Sequence, residues 1–428
     1  MKNNIFYRIR IIAAVIVAVL SLAAVLGLFY PVKIFDLQLA PLIQRVFIDF
    51  SAAALILLAV ILIITLLFGR LYCSTICPLG LLQEFAGLFK RKPRRHARSF
   101  PVKYFIAAVI FGALAGGTAY IMRYGEPYTY FVCAFSLSAA GIIAAAAVII
   151  LVILKDRFFC TNICPVGAVL GLISKVSLNK IHILQRDCVS CGLCEKVCPA
   201  GSINSKEKTV DNETCLKCLK CLNVCNKNAL KYGFVCKKQS KCEFNPKRRK
   251  LIVGAAVIVV FAVTAKAGRI IKKALADKFS DVILPPGAVS EQRFLNKCLN
   301  CNLCVKACPE KIIKKADSKF CAPSIDYSKN FCKYDCNKCS AACPAGAIKK
   351  LSLEEKQKTR IAMIAPPENN FEGFADCVKA CPTNALTLNA ENRPDFSAVK
   401  CIGCGACSVT SKGFIKIYGA VEQKALNK

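Results

Sequence analysis

The distribution of apolar residues divides this chain into a hydrophobic N-terminal part and a more polar remainder. Four stretches without a charged residue are each long enough for a membrane span, which needs about 20 helical residues. The pattern therefore predicts a four-helix transmembrane bundle within residues 1–175. The first stretch is also longer than the apolar core of a secretory signal peptide. The four stretches are residues 11–32, 50–69, 104–122 and 127–154.

Basic residues near the ends of these stretches predict their orientation. The loop of residues 70–103 carries eight lysines and arginines, whereas the loops after the first and third stretches carry three in total. Lysine and arginine favour the cytoplasmic side of a membrane. We therefore expect a multi-pass protein of the bacterial inner membrane, with the N-terminus, the 70–103 loop and the chain directly after residue 154 in the cytoplasm.

A cysteine motif is repeated at the cytoplasmic ends of the second and fourth predicted spans. GRLYCSTICPLGLLQE and DRFFCTNICPVGAVLG each contain C-x3-C-P-x-G. Cysteines with x3 spacing lie on one helix face, so two such faces could supply four thiolates to one cofactor centre. A redox-active dithiol explains the motif equally well, and structural cysteines are a third interpretation. The four cysteines are Cys73, Cys77, Cys160 and Cys164.

Composition narrows the chemistry. The 428 residues include 29 cysteines and two histidines, and the formal net charge is +34. Most cysteines lie in C-x2-C-x2-C runs, where neighbouring side chains converge on one inorganic centre, so metal-bound thiolates are favoured over a disulfide scaffold. The lysines are scattered without a nucleic-acid motif, which predicts no nucleic-acid partner. Both histidines lie outside the predicted spans, which excludes haem held between membrane histidines.

Residues 180–235 contain the cysteine run of a bacterial two-cluster ferredoxin, an α+β module. DCVSCGLCEKVCPAG is followed by TCLKCLKCLNVCNK, and in such modules the fourth cysteine of each run binds the cluster of the other run. Zinc is the alternative, but zinc-binding pairs are usually separated by longer intervals. The predicted [4Fe–4S] ligand groups are Cys188, Cys191, Cys194 with Cys225, and Cys215, Cys218, Cys221 with Cys198.

A further apolar segment occupies residues 245–270. Its uncharged part, residues 251–265, has only 15 residues, which suits a signal-type core better than a full span. Arg248 and Arg249 precede it, and residues 265–267 resemble a cleavage site. We expect an internal anchor or export-like helix that carries the C-terminal region out of the cytoplasm. Because basic residues follow directly, an interfacial helix with a cytoplasmic C-terminal region is the alternative.

A second two-cluster ferredoxin module is predicted at residues 290–350. KCLNCNLCVKACPEK and FCKYDCNKCSAACPAG contain a complete set of cysteines, although one gap is three residues instead of two. The same exchange of fourth ligands applies. The predicted groups are Cys298, Cys301, Cys304 with Cys343, and Cys332, Cys336, Cys339 with Cys308.

Residues 365–420 resemble a degenerate module of the same kind. KCIGCGACSVTSKG has three cysteines but places Ser411 where the fourth is expected. By the exchange rule the trio takes Cys381 from the other run. We therefore expect one cluster at Cys381, Cys401, Cys404 and Cys407. The second cluster would have needed Phe371, Phe374, Cys377 and Ser411, so we expect it to be lost and its volume to be filled by phenylalanine. Five cysteines remain unassigned: Cys133, Cys236, Cys242, Cys321 and Cys377.

The repeated C-x3-C-P motif followed by a two-cluster ferredoxin resembles the NapH/NosR-type membrane iron–sulfur proteins. VILPPGAVSEQRFLNKCLNCNLCVKACP, preceded by twin arginines, resembles the NapG-type exported polyferredoxin. The chain thus looks like a fusion of the two. The resemblance implies transfer of electrons between the quinone pool or cytoplasmic carriers and an extracytoplasmic reductase. The lost cluster in the tail departs from the family pattern.

These patterns predict an electron carrier rather than an enzyme, because no nucleotide-binding loop or catalytic histidine is found. The expected cofactors are about five [4Fe–4S] clusters, with a sixth if the C-x3-C-P cysteines bind one. The expected partners are membrane lipid, a reductase or flavoprotein, and a quinone. The alternative function is an accessory factor for metal-centre assembly that uses the C-x3-C-P thiols. A redox sensor would need an output module, and the sequence shows none. Donor, acceptor and direction of flow stay open.

Overall fold

The computed structural model describes residues 2–25, 37–49, 51–87, 102–118, 127–135, 139–234, 247–276, 282–315, 322–364, 373–389 and 394–419. The chain divides into two units, residues 1–28 with 32–269, and residues 29–31 with 270–428. Each unit has its own hydrophobic core. Residues 88–101 of the basic 70–103 loop, together with Cys236, Cys242, Cys321 and Phe371, lie outside the described residues.

The N-terminal unit contains a helical repeat. In each copy, a short helix packs against the long apolar helix that follows it, and this long helix leads into a C-x3-C-P motif. The first copy consists of α1 (Lys2–Val25), α2 (Leu39–Asp49), α3 (Ala52–Phe68), α4 (Tyr72–Thr75) and α5 (Pro78–Ala86). The second consists of α6 (Val102–Ala115), α7 (Pro127–Phe135), α8 (Ala139–Lys155), a π-helical turn (Phe159–Ile163) and α9 (Pro165–Lys175).

The fourth predicted span differs from the observed structure. Residues 127–154 form two helices, α7 and α8, instead of one. The two helices pack closely, since a Cβ added to Gly141 would lie 2.3 Å from the carbonyl carbon of Cys133. Serine and glycine do not interrupt an apolar run, so the hydrophobic pattern could not show this break. The prediction of a single span was therefore wrong.

Two described helices are long and apolar enough to cross a membrane, Ile5–Ala23 and Val253–Ile271. The other apolar helices of the described residues have 10–17 residues, which is shorter than the roughly 20 that a span needs. Helix length and composition thus support two spans in this part of the chain, where the sequence pattern predicted a four-helix bundle.

The second of these helices is part of α12 (Lys247–Ala276), a continuous helix of 30 residues. It extends beyond the 15-residue segment expected from charge, because the basic residues after that segment do not end the helix. It packs on α6 through glycines: a Cβ on Gly116 would lie 2.4 Å from the carbonyl oxygen of Ala265. Such close backbone approach is typical of packed membrane helices. The cleavage-like residues 265–267 therefore lie inside a packed helix.

Short antiparallel strand pairs hold the first ferredoxin module together. The first strand, β1 (Asn179–Ile183), pairs with β4 (Leu230–Phe234), with Ile183 opposite Leu230. This pairing joins the two ends of the cysteine-rich segment. The core of the module is continuous with the core of the helical repeat. Between the two strands lie α10 (Leu193–Lys196), β2 (Ile203–Asn204), β3 (Thr209–Val210) and α11 (Lys220–Val224).

The C-terminal unit contains similar short elements around its own core. Its second cysteine-rich part is closed by a pair of strands that joins its ends, as in the first module. The first part contains α13 (Glu291–Lys297), α14 (Leu303–Ala307), β5 (Ile313–Lys314), β6 (Ser324–Ile325), α15 (Lys338–Ala341) and α16 (Leu353–Gln357). The second contains β7 (Ala362–Ile364), α17 (Phe374–Ala380), β8 (Leu386–Leu388), β9 (Pro394–Phe396), α18 (Ala406–Thr410) and β10 (Ile417–Gly419).

We expect Gly112→Ala to destabilise the N-terminal unit by about 1–3 kcal/mol, the usual cost of overpacking. The added methyl carbon would lie 2.0 Å from Thr264 Oγ1 and 2.6 Å from the carbonyl oxygen of Phe261, so α12 would have to shift. Gly254→Ala is the matched control, because no atom lies within 4 Å of its added Cβ and alanine favours a helix. Thermal unfolding of the detergent-solubilised protein measures both. Equal stability of the two variants would contradict the packing of α6 on α12.

Candidate iron–sulfur centres

Each C-x3-C-P motif forms a compact turn that begins a new helix. Cys77 and Cys164 are the N-cap residues of α5 and α9, and proline follows at the first helical position, where its missing N–H leaves no bond unmade. A Cβ on Gly80 would lie 2.2 Å from the carbonyl oxygen of Cys73. The same contact at Gly167 would measure 2.4 Å. Glycine in C-P-x-G is therefore required by close backbone approach.

The structure brings the four cysteines of the two motifs together in the protein interior. Cys73, Cys77, Cys160 and Cys164 are each at most 7% exposed and belong to one core. Burial raises the pKa of Cys164 well above its usual value, and the other three thiols raise it further. The Cys160 thiol donates a hydrogen bond to Gln83 Oε1 at 3.2 Å. Two pairs of cysteines that lie far apart in sequence thus share one buried site.

Two buried arginines connect the motifs to each other. Arg70 and Arg157, each three residues before the first cysteine of its motif, are 0% and 2% exposed. Arg70 Nη2 donates to the carbonyl oxygen of Cys160 at 3.0 Å, and Arg157 Nη1 donates to that of Cys73 at 3.5 Å. Each arginine therefore contacts the motif of the other repeat. Arg70 Nη2 also lies 4.0 Å from Cys73 Sγ.

Glu84 on α5 pairs with one of these two arginines. Its oxygens lie 2.9 Å from nitrogens of Arg10, Arg157 and Lys220. Burial alone would raise the pKa of Glu84, but these three cations lower it to about 2. Glu84 is therefore ionised and joins α1, the second motif and the first ferredoxin module.

Glu213 of the ferredoxin module makes similar contacts with the second repeat. Its carboxylate lies 2.7 Å from Lys103 Nζ and 3.6 Å from Lys175 Nζ. Its backbone carbonyl accepts a hydrogen bond from Arg70 Nη1 at 3.1 Å. Burial would raise the pKa of Glu213, but the bonds to Lys103 and Tyr104 lower it below its usual value. The module is thus joined to the helices by a largely buried ion pair with Lys103 and a more exposed one with Lys175.

The buried positive charge around the four cysteines exceeds the negative charge of these two carboxylates. Buried charges without a counter-charge are costly. Four thiolates around a [4Fe–4S] core keep a net negative charge, which would balance the excess, whereas disulfides or neutral thiols would not. The residues present therefore fit an anionic iron–sulfur centre. The four cations, each at most 4% exposed, are Arg10, Arg70, Lys103 and Arg157.

The predicted ligand groups of the first module are also assembled. Cys188, Cys191, Cys194 and Cys225 line a cavity of about 210 Å³, and Cys191 is exposed. In the other group, Cys221 interacts electrostatically with Cys218, Cys215 and Cys198. Each set of four side chains is therefore side by side. That these cysteines bind iron remains a prediction.

The second of these groups adjoins the C-x3-C-P site. Cys198, Cys215 and Cys221 belong to the same core as the four motif cysteines. The backbone N–H of Arg157 donates to the carbonyl oxygen of Pro199 at 3.3 Å. Burial raises the pKa of Cys198 to about 11. A ferredoxin-type site and the C-x3-C-P site thus share one hydrophobic core and are linked by a backbone hydrogen bond.

In the C-terminal unit, two cavities match the two ligand groups of the second module. In the first group, Cys304 interacts electrostatically with its three predicted partners. The second group has a buried lysine beside it: Lys356 Nζ donates to the carbonyl oxygen of Tyr334 at 3.1 Å and also to that of Lys333. One cavity is lined by Cys298, Cys301, Cys304 and Cys343, and the other by Cys308, Cys332, Cys336 and Cys339.

The cysteines of the tail form a further group next to the second module. Cys407 interacts electrostatically with Cys404, Cys401 and Cys381. The backbone N–H of Cys332 donates to the carbonyl oxygen of Cys404 at 2.9 Å. Three cysteine groups therefore lie in succession within the C-terminal unit.

The position where we expect the lost cluster is a packed hydrophobic core. Phe374 and Cys377 are at most 1% exposed and pack with Ile415. Ser411 Oγ accepts a hydrogen bond from the N–H of Ile415 at 3.0 Å and donates to the carbonyl oxygen of Ser408 at 3.2 Å. These side chains occupy the volume that a second cluster would need. Phe371 lies outside the described residues.

Within the described ranges, no three or more cysteine, histidine, aspartate or glutamate side chains are arranged to hold a single metal ion. A cubane cluster offers four separate iron atoms, so its four cysteines need not converge on one point.

Comparison with known proteins identifies the type of site. A family model described as a 4Fe-4S binding domain matches residues 50–96 and 137–183, which contain the two C-x3-C-P motifs. Two further models with this description match residues 181–204 and 298–312. No solved structure matches the chain.

Three relatives define the family. An uncharacterized protein of Methanocaldococcus jannaschii is 30% identical over 196 residues, which are 43% of this chain and 80% of the relative. Ferredoxin-type protein NapH of Haemophilus influenzae is 25% identical over 188 residues, 41% of this chain and 66% of NapH. Regulatory protein NosR of Pseudomonas aeruginosa is 30% identical over 174 residues, 36% of this chain and 24% of NosR. The chain belongs to the NapH/NosR-type 4Fe–4S proteins.

The family assignment confirms several predictions in their general form. This NapH/NosR-type protein binds multiple [4Fe–4S] clusters and is an iron–sulfur electron-transfer protein. Its two long apolar helices associate it with the membrane. The number of clusters, the number of spans and the redox partners are finer predictions that these comparisons do not test.

Sequence reasoning did not single out the charged residues of the site. For the arginines a signal was present, because R-x2-C-x3-C-P occurs in both motifs, starting at Arg70 and Arg157. Glu84 and Glu213 have no repeated counterpart in the sequence. Only the fold brings these two carboxylates to the buried cations.

We expect Glu84→Gln to destabilise the N-terminal unit by about 3 kcal/mol or more, because buried cations then lose their partner. The pKa of Glu84 is about 2 in the folded protein and about 4.3 in an unfolded chain. Its stabilisation is therefore fully present above the unfolded pKa and is lost as the pH falls toward 2. The difference in unfolding free energy between wild type and variant should stay constant from about pH 8 to pH 6.

The control for this variant is Glu207→Gln, which changes an exposed carboxylate of the same unit. It should alter the unfolding free energy by less than about 0.5 kcal/mol. Denaturant unfolding in detergent measures both variants. If Glu84→Gln proved as stable as Glu207→Gln, the buried ion-pair network would be disproved.

A matched pair of cysteine variants tests the tail. Cys381→Ser should remove one cluster, about four iron atoms per chain, because Cys381 lies with Cys401, Cys404 and Cys407. Cys377→Ser should keep the iron, because its thiol is packed in the hydrophobic core and donates to the carbonyl oxygen of Cys407 at 3.6 Å. Iron and acid-labile sulfide in anaerobic preparations measure the difference. Equal iron contents in the two variants would refute this ligand assignment.

Proposed function

We propose that this NapH/NosR-type protein relays single electrons between the quinone pool or cytoplasmic carriers and an extracytoplasmic reductase. One-electron transfer is the chemistry that [4Fe–4S] clusters supply when bound. The observation that carries the proposal concerns the group of Cys198, Cys215, Cys218 and Cys221, called the Cys198 group. Three of its cysteines share one core with the four C-x3-C-P cysteines. Electron transfer weakens steeply with distance, so two sites that share one core favour a relay. Such a relay needs no substrate pocket.

The C-x3-C-P cysteines form the sixth centre in this proposal. The alternative was a redox-active dithiol, in which the thiols cycle between neutral and disulfide forms. The excess of buried positive charge, together with the match of both motif segments to a 4Fe–4S domain, favours the iron–sulfur centre. The arginines then serve to hold the two motifs together and to offset the charge of the thiolates.

The proposed relay in the N-terminal unit begins at the Cys188 group, which consists of Cys188, Cys191, Cys194 and Cys225. Cys191 of this group is exposed, whereas the C-x3-C-P cysteines are buried. A soluble carrier can therefore approach the Cys188 group directly. The Cys198 group follows, since Cys221 interacts electrostatically with Cys194 of the first group. The C-x3-C-P site is third, at the end of the apolar helices α3 and α8.

The C-terminal unit provides the extracytoplasmic part of the proposed relay. Its three cysteine groups would form a second series, of the kind that the NapG-type resemblance implies. The length and apolarity of Val253–Ile271 support a membrane crossing before this unit. A quinone or a redox partner protein would connect the two series across the bilayer.

The iron content of the anaerobically purified full-length protein tests the sixth centre. We expect about twenty-four iron atoms per chain, and about twenty in a variant that combines Cys77→Ser with Cys164→Ser. Cys133→Ser is the control, because Cys133 is a buried cysteine outside both motifs. Electron paramagnetic resonance of the reduced protein should show the loss of one signal in the double variant alone.

Two results would argue against the proposal. An unchanged iron content in the double variant would favour the dithiol. Loss of metal loading on a partner protein, with cluster reduction unchanged, would favour an accessory factor for metal-centre assembly.

A further inference from the structure

The two arginines that precede the motifs have equivalent positions but different partners. Arg157 Nη2 lies 2.9 Å from Glu84 Oε2, so a carboxylate compensates its charge. The guanidinium of Arg70 donates instead to the carbonyl oxygens of Cys160 and Glu213. Neutral carbonyl groups accept these hydrogen bonds without cancelling the positive charge.

The sequence of the second repeat explains this difference. Glu84 follows the last cysteine of its motif by seven residues, and the residue at that position in the second repeat is Gly171. A Cβ on Gly171 would lie 3.0 Å from the carbonyl oxygen of Glu213, which leaves little room for a side chain. The second repeat therefore places ferredoxin backbone where the first has a carboxylate.

Both guanidinium groups also have an unused donor. The Nε atoms of Arg70 and Arg157 are buried and have no hydrogen-bond partner in the described part of the chain. A buried donor without an acceptor is costly. Its presence beside four cysteines fits a site that holds an anionic group.

We propose that Arg70 and Arg157 are positioning residues that raise the reduction potential of the centre held by Cys73, Cys77, Cys160 and Cys164, and that Arg70 supplies the charge that no carboxylate offsets. The inference rests on the proposed function, because it requires an iron–sulfur centre at this site. Reduction adds one electron to the centre, and nearby positive charge stabilises the more negative form. Net charge and hydrogen bonds to sulfur are the known determinants of such potentials.

The test is a redox titration of the full-length protein with dithionite as electron donor, followed by electron paramagnetic resonance. The variant that combines Cys77→Ser with Cys164→Ser should lack the centre. Subtracting its spectrum from that of wild type therefore isolates the signal of this centre. Arg70→Gln and Arg157→Gln should each lower its potential. For Arg70→Gln we expect at least a tenfold fall in the equilibrium constant of one-electron reduction, which is about 59 mV.

Three further variants separate charge from structural damage. Glu84→Gln removes a negative charge and should shift the potential in the opposite direction. Combining it with Arg157→Gln conserves the net charge and should return the potential close to that of wild type. Arg70→Lys should also stay close to wild type, because the charge is kept. Arg186→Gln is the control, since Arg186 is exposed and belongs to the surface of the ferredoxin module.

The possible results either support or overturn the proposal. Unchanged potentials in Arg70→Gln and Arg157→Gln, with iron retained, would overturn it. It would also be overturned if Arg70→Gln and Glu84→Gln shifted the potential in the same direction. If Arg70→Gln loses the iron of this centre, Arg70→Lys decides: retained iron and a near-normal potential support the role of charge, and a large shift overturns it. If wild type and the variant that combines Cys77→Ser with Cys164→Ser gave the same signals, the proposed centre itself would be disproved. The titration distinguishes this result from unchanged potentials.

Discussion

Buried positive charge around four cysteines is the interaction on which the N-terminal unit depends. Arg70 and Arg157 cross between the two motifs, while Glu84 and Glu213 bring in further helices and the ferredoxin module. Cations in a protein interior are normally paired, since leaving one of them unpaired costs several kcal/mol, a large part of the stability of a typical domain. Because the carboxylates do not match the cations in number, the thiolates of the proposed centre would complete the balance. Folding and cofactor binding would then be coupled here, as in other metalloproteins.

Contacts between cationic side chains and the backbone of the cysteine runs also occur, in simpler form, in the ferredoxin modules. A cationic side chain donates to a backbone carbonyl within or beside a cysteine run: Lys208 to Cys188 at 2.8 Å, Arg360 to Cys401 at 3.3 Å, and Lys356 to Tyr334 at 3.1 Å. Backbone N–H groups in turn face sulfur atoms, as at Cys198, Cys343 and Cys381, with distances of 3.3–3.4 Å. Both features stabilise negative charge on thiolates. The arginine pair of the C-x3-C-P site is an extended version, in which the donor comes from the other repeat.

The tail shows what fills the position where the sequence predicts a lost cluster. Without a cluster the volume must be filled, because protein interiors are close-packed and voids are costly. Phe374 and Cys377 supply apolar contacts, and Ser411 satisfies a backbone N–H that would otherwise be buried without a partner. The neighbouring group around Cys404 stays attached to the second module through Cys332. The predicted absence of one centre is therefore compatible with an ordered neighbouring group.

The sequence by itself determined the cysteine groups, since x2 and x3 spacings constrain side chains within one turn of chain, and these local constraints survive in any fold. It also indicated the apolar helices, but not their ends: one predicted span is two helices, and α12 is twice as long as its uncharged core. Only the tertiary structure decided which elements meet. The pairing of Arg70 with Cys160, or of Lys103 with Glu213, joins residues about a hundred positions apart, and no local pattern encodes such contacts. They follow from the packing of two repeats and a ferredoxin module around one cluster of buried cations.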